Sequence, residues 1–202
     1  MNASEKDPRS AATSAIIVDG DHVSRVAFDL IVQFERMLGR RIPDADVARW
    51  AECAALDGGV RGQDNRVDVV ILHSKGRHKM ENFAPSDYAT DLNAKAFRSA
   101  LGEFALAAHP YEGVIGRAEQ FAETVTAVCS DPHITHVVIV PDDSDAAMLD
   151  TLRHTLRRNS GNKRVTVLAM QPLPGGNFCQ EILGYSLMQA LGIRGDELDA
   201  MR

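Results

Sequence analysis

Short β-branched apolar runs alternate along this chain with stretches of helical period. The first run, Ala15-Ile16-Ile17-Val18, is closed by Asp19-Gly20-Asp21. Behind it Val23, Val26, Ala27, Leu30, Ile31 and Phe34 recur at three- and four-residue spacings, which predicts one buried helical face. Pro43-Asp44-Ala45-Asp46 opens a second predicted helix running to about Leu56, and Gly58-Gly59 and Gly62 break the chain after it. Val67 to Leu72 predicts the second strand, which leads into the polar loop Ser74-Lys75-Gly76-Arg77-His78-Lys79. Pro85-Ser86-Asp87 reads as the start of a helix reaching about Leu101. Phe104 to Ala108 reads as a strand weakened by its alanines, and Gly113 to Val128 as a helix. His136 to Val140 is the clearest strand. A helix from Asp145 to Arg158, a strand from Val165 to Ala169 and a final helix from about Phe178 to Leu191 complete the pattern.

Five strands separated by helices require crossover connections. The expected fold is therefore α/β, a three-layer sandwich with a central, mainly parallel five-stranded sheet. The near-continuous apolar strands agree, because a strand covered on both faces need not alternate. Residues 15–202 are expected to form a single domain behind a disordered lead of residues 1–14, since no repeat, linker or low-complexity tract divides the chain. In such sheets the functional crevice lies beyond the C-terminal strand ends.

Composition narrows the picture. Hydrophobic residues make up 45% of the 202 and charged residues 25%, as in ordinary globular domains. No apolar run approaches the roughly 20 residues of a membrane span, and the polar lead lacks the apolar stretch of a secretory signal, so no membrane association is expected. Cys53, Cys129 and Cys179 are scattered and odd in number. They form neither a disulfide framework nor a cysteine-based zinc site, and they fit a reducing, cytoplasmic setting. The formal charge of −6 excludes a global polycation. Nucleic-acid contact would need a local basic patch, or metal ions that invert the sign at a carboxylate cluster.

Two of the strongest strands end in acids. The first gives Asp19-Gly20-Asp21-His22, and the fourth gives Pro141-Asp142-Asp143-Ser144-Asp145. Crowded carboxylates repel one another, so such clusters persist mainly in water or around a cation. Mg²⁺ or Mn²⁺ takes oxygen ligands of this kind, and two-metal phosphodiester cleavage uses several of them. Helix capping is the plainer role open to Asp21, Ser144 and Asp145. It needs one residue per helix, and five aspartates exceed that need.

The stretch Ile16 to Val23 resembles the opening motif of NYN domains, a branch of the PIN-like ribonuclease fold: an apolar strand, Asp-Gly, an acid and then Asn. Val137 to Asp145 resembles their later motif, a strand followed by Ser-Gly-Asp-Ser-Asp, with Asp143 and Asp145 on the two family aspartates. The resemblance implies a metal-dependent endoribonuclease that acts on RNA, or on single-stranded DNA, through Mg²⁺ or Mn²⁺. Asp19, Asp143, Asp145 and a helix acid, Glu119 or Glu123, would hold the ions, with Asp21, His22 and Asp142 auxiliary. Three positions depart from the family: His22 replaces Asn, Pro141 replaces Ser, and Ala146 stands where Phe is frequent. These departures keep open a second reading, a catalytically silent PIN-like module that binds RNA or a protein partner. A third reading is a phosphatase resembling the haloacid-dehalogenase family, because Asp19-x-Asp21-x-Val23 fits its nucleophile motif and Ser74 its phosphate-binding hydroxyl. Its third motif has no clearly placed lysine here, and His22 replaces a usual glycine.

Lys75, Arg77, His78 and Lys79 follow a strand directly and should overhang the same edge, where they could hold phosphates. Arg153, His154, Arg157 and Arg158 lie at a predicted helix C-terminus, where dipole complementarity accounts for them. The terminal helix, with Ile182, Leu183, Leu187 and Leu191, reads as core, although it could also dimerise.

Overall fold

The computed structural model describes residues 12–159 and 161–199. Its centre is β1 (Ser14–Asp19), in parallel pairing with β3 (Asn65–His73) on one side and β7 (His136–Val140) on the other. Beyond β3 lies β6 (Gly102–Pro110), and beyond β7 lies β8 (Arg164–Ala169), both parallel to their neighbours. These are the five expected strands. Two edge strands enlarge the sheet to seven: β5 (Lys95–Ser99), antiparallel to β6, and β9 (Cys179–Ile182), parallel to β8. The order is β5-β6-β3-β1-β7-β8-β9. A separate two-stranded sheet joins β2 (Ala45–Asp46) to β4 (Phe83–Ala84).

Alternation along β1 shows why the strand is apolar from Ala15 to Val18. Ile16 and Val18 enter the core beneath α1 (Gly20–Leu38), α2 (Val47–Asp57) and α5 (Leu183–Ala190). Ala15 and Ile17 enter the opposite core, beneath α3 (Arg117–Ser130) and α4 (Ala146–Asn159). Both faces are buried, giving three layers. A short α6 (Gly195–Asp199) ends the described chain. No helix among the described residues is long and apolar enough to cross a membrane.

Three sequence expectations are corrected. The helix expected from Pro85 to Leu101 is a single π turn, Tyr88–Leu92, capped by Asp87 and followed by β5. Pairing with β6 accounts for the extended chain there, with Phe97 stacked on Phe104 at 4.9 Å and the Asn93 side chain accepting from Ala108 N. The expected final helix divides into β9, which pairs with β8, and α5. The second helix begins at Val47 rather than Pro43, because Asp46 caps it by accepting from Arg49 N. Of the expected disordered lead, Ser14 already belongs to β1, and residues 1–11 lie outside the described chain.

Register sets the site. Asp19 is level with Leu72 of β3, and Val18 with Val140 of β7. The chain leaves β1 for β3 on one side and reaches β7 on the other, so the sheet changes direction between β1 and β7. That is where an open α/β sheet forms its crevice.

Candidate functional site

Asp19 ends β1 and caps α1, its carboxylate accepting from His22 N at 2.9 Å. Gly20 lets the helix start flush against β3, since a Cβ there would lie 2.8 Å from Tyr88 Oη and 2.9 Å from Ile71 Cγ2. That tight start turns Asp21 and His22, both buried, toward the crevice. From the neighbouring strand, Asp142 and Asp143 arrive at the same place.

The acids therefore meet, but each finds a partner from elsewhere in the chain. Asp19 is 0% exposed. It receives Tyr111 Oη at 2.7 Å, Arg117 Nε at 3.0 Å and Arg117 Nη2, so both oxygens are held in a bidentate pair. Asp21 accepts from Ser74 N at 3.0 Å and from the Ser74 hydroxyl, and it faces Arg77 Nε at 3.3 Å. Asp142 Oδ1 takes Arg25 Nη2 at 2.9 Å, Ser144 N at 3.1 Å and the Ser144 hydroxyl, with His22 Nδ1 at 3.2 Å. Arg117 also reaches toward Asp21 at 3.8 Å and Asp142 at 3.7 Å. One guanidinium thus bridges three carboxylates.

Asp143 is different. Its Oδ2 accepts from Met170 N at 2.6 Å, and its Oδ1 faces His22 Nε2 at 3.4 Å. Among the described residues no arginine or lysine forms an ion pair with it. Three arginines face four carboxylates, and the uncompensated charge is at Asp143.

The pKa directions agree with this accounting. Burial alone would raise the Asp142 carboxyl, but hydrogen bonds from His22, Ser144 and Arg25 hold it well below the ordinary range. Burial opposes the Arg117 charge, and Asp19 and Tyr111 outweigh it. Burial, then the charge of Asp19, pushes the Tyr111 phenol up, so it remains a donor.

Several candidate residues fall elsewhere. Glu119 and Glu123 are exposed, because the inward face of α3 is formed by Ala118, Phe121, Ala122 and Val125. The Glu119 carboxylate folds back over Gly116 at the helix start. Asp145 is the α4 cap, its Oδ1 accepting from Ala147 N at 2.9 Å and Met148 N at 3.1 Å. Asp19, rather than Asp21, caps α1. The residue that α3 sends into the cluster is Arg117, in its first turn. Sequence reasoning gave no role to Arg117, Tyr111 or Arg25. Arg25 alone carried a local signal, three residues after His22 on one helical face.

Lys75, Arg77, His78 and Lys79 are exposed beyond β3, at the edge expected. Arg77 is engaged by Asp21 and by Glu81 at 3.1 Å. It lines both a cleft of about 590 Å³, shared with Arg25 and the exposed Phe28, and one of about 460 Å³, shared with Lys75, His78 and Tyr88. The same bonds bear on the phosphatase reading of Asp19. A nucleophilic carboxylate needs a free oxygen facing phosphorus, and both of its oxygens are buried and bonded.

A family model covers this whole arrangement, matching residues 10–198. The chain belongs to DUF6621, a family of unknown function. No curated protein and no solved structure matches it.

Proposed function

We propose that this DUF6621 chain is a PIN-like module that does not hydrolyse phosphodiesters and works by binding, with single-stranded RNA as its partner. The observation that carries this reading is the bidentate pair between Arg117 and the fully buried Asp19. Two-metal hydrolysis needs carboxylate oxygens free to face the ions. Here a fixed cation takes those oxygens and extends to Asp21 and Asp142. Charge accounting points the same way: with three arginines on four carboxylates, two divalent ions would leave the centre strongly positive. The exposed loop at Lys75 to Lys79 supplies cations for phosphate oxygens, and Phe28, beside Arg25 and Arg77, offers a face on which a base can stack.

The test uses a labelled single-stranded RNA with the intact chain and Mn²⁺. No cleavage is expected. Binding is expected to weaken in Lys75→Glu/Lys79→Glu, with the slope of log affinity against log salt falling by roughly 1.4, about 0.7 for each lost phosphate contact. Mn²⁺-dependent cleavage that disappears in Asp143→Asn would restore the nuclease reading. Absence of RNA binding at low salt would turn the proposal toward a protein partner.

A further inference from the structure

We propose that His22 Nε2, Asp143 and Asp142 form a site for one divalent ion that accepts nitrogen ligands, of the zinc class rather than the magnesium class. The inference goes beyond the proposed function and stands whether or not the chain binds RNA. It also differs from the all-carboxylate set expected from the sequence, because its deciding ligand is an imidazole.

Four observations converge. First, one ligand atom from each of the three residues fits within 4.8 Å of the others. Second, His22 Nε2 is buried and makes no hydrogen bond, although the residue is only 2% exposed. A polar ring nitrogen left so is costly unless something supplies its partner. Third, Nε2 lies 3.4 Å from Asp143 Oδ1. Two ligand atoms each about 2.1 Å from a tetrahedral ion are about 3.4 Å apart. Fourth, Asp143 is the carboxylate without an arginine, so an ion placed there meets the uncompensated charge.

A metal at Nε2 needs the tautomer whose ring hydrogen sits on Nδ1. Arg25 Nη2 has two hydrogens and three acceptors in range: Asp142 Oδ1 at 2.9 Å, Ser144 Oγ at 3.2 Å and His22 Nδ1 at 3.0 Å. When Asp142 and Ser144 take them, Nδ1 is left to carry the ring hydrogen. Nε2 then carries a lone pair, 3.4 Å from Asp143 Oδ1. Magnesium prefers six oxygen ligands in near-ideal octahedral geometry and keeps its waters, whereas imidazole suits zinc and its neighbours. The ion would fasten the start of α1 to the β7–α4 loop, across the point where the sheet changes direction.

The test strips the full chain with a chelator and adds metals alone. One Co²⁺ per chain is expected, with the visible absorption of a tetrahedral nitrogen and oxygen site, displaced by one Zn²⁺. Zn²⁺ should raise Tm, and Mg²⁺ at the same concentration should not. His22→Gln should weaken Co²⁺ binding by more than about tenfold, the loss that even an outer partner of a ligand causes. Asp143→Asn should act likewise, and Glu123→Gln should leave binding unchanged. Circular dichroism establishes that each variant is folded. Should both ligand variants unfold, the preference of the unaltered chain for Co²⁺ and Zn²⁺ over Mg²⁺ decides alone. No stoichiometric Co²⁺ binding, equal affinity for Mg²⁺, or full binding by folded His22→Gln would each overturn the site. RNA cleavage and RNA binding do not enter the readout, so failure here leaves the proposed function untouched.

Discussion

Replacing Arg117 with alanine should destabilise the fold by about 3–5 kcal/mol, the cost of breaking a buried ion pair from one side. Asp19 sits at the C-terminal end of the central strand with no exposed surface, and Arg117 supplies two of its four hydrogen bonds. Tyr111 and the His22 amide remain in the variant, but neither carries a charge to answer the carboxylate. Arg117→Lys should recover only part of the loss, because an ammonium lacks the planar fork that meets both oxygens at once. Urea unfolding of Asp19→Asn, Arg117→Met and the double variant gives the check. The double change should lose clearly less than the two single changes together, since each single change strands a charge that the other removes. Additive losses would mean that the pair contributes nothing as a pair. The same experiment bears on function: a folded Arg117→Met chain exposes Asp19, Asp21 and Asp142 to solvent ions, and its Mn²⁺ capacity should rise.

What could be read in the sequence was whatever depends on local pattern. Val67 to Leu72 and His136 to Val140 announce themselves because strands covered on both faces are apolar along most of their length, with Asp68 the one charge in the first. The meeting of Asp19 with Asp142 and Asp143 followed from one topological rule, applied to where those strands end. The two edge strands were not legible. Lys95 to Ser99 is largely polar and exposed, so its extended form comes from pairing with β6 rather than from its own preferences. Cys179 to Ile182 adjoins a helical pattern and is extended only because β8 offers an open edge. At the site, the acids were visible because they are consecutive, while their arginine partners were not. Arg25, Arg77 and Arg117 come from three different elements, and only the folded sheet edge brings them to Asp142, Asp21 and Asp19. A cluster of acids in a sequence shows where charge gathers. It does not show what neutralises that charge, which here is three arginines from distant parts of the chain.

The reverse case is a carboxylate that the fold leaves poorly answered. Asp57 is the last residue of α2, where the negative end of the helix dipole opposes it. Its pKa is raised from 3.8 to about 6, chiefly by burial and then by Glu181, with Arg61 acting weakly against them. Between those two values the folded chain keeps a proton that the unfolded chain has released. Stability therefore falls as pH rises from about 4 to about 6 and stays lower above that. The interval between 3.8 and about 6 corresponds to at most about 3 kcal/mol, an upper bound for a group partly open to water. Asp57→Asn removes the titration while keeping the shape, so it should stabilise the chain by about 2 kcal/mol at pH 7.5. Urea midpoints measured from pH 4 to pH 7.5 should show variant and parent converging at the acid end and separating through pH 6. A constant gap across that range would assign the difference to packing rather than to charge, and no gap at pH 7.5 would mean that Arg61 and solvent fully relieve the burial of this carboxylate.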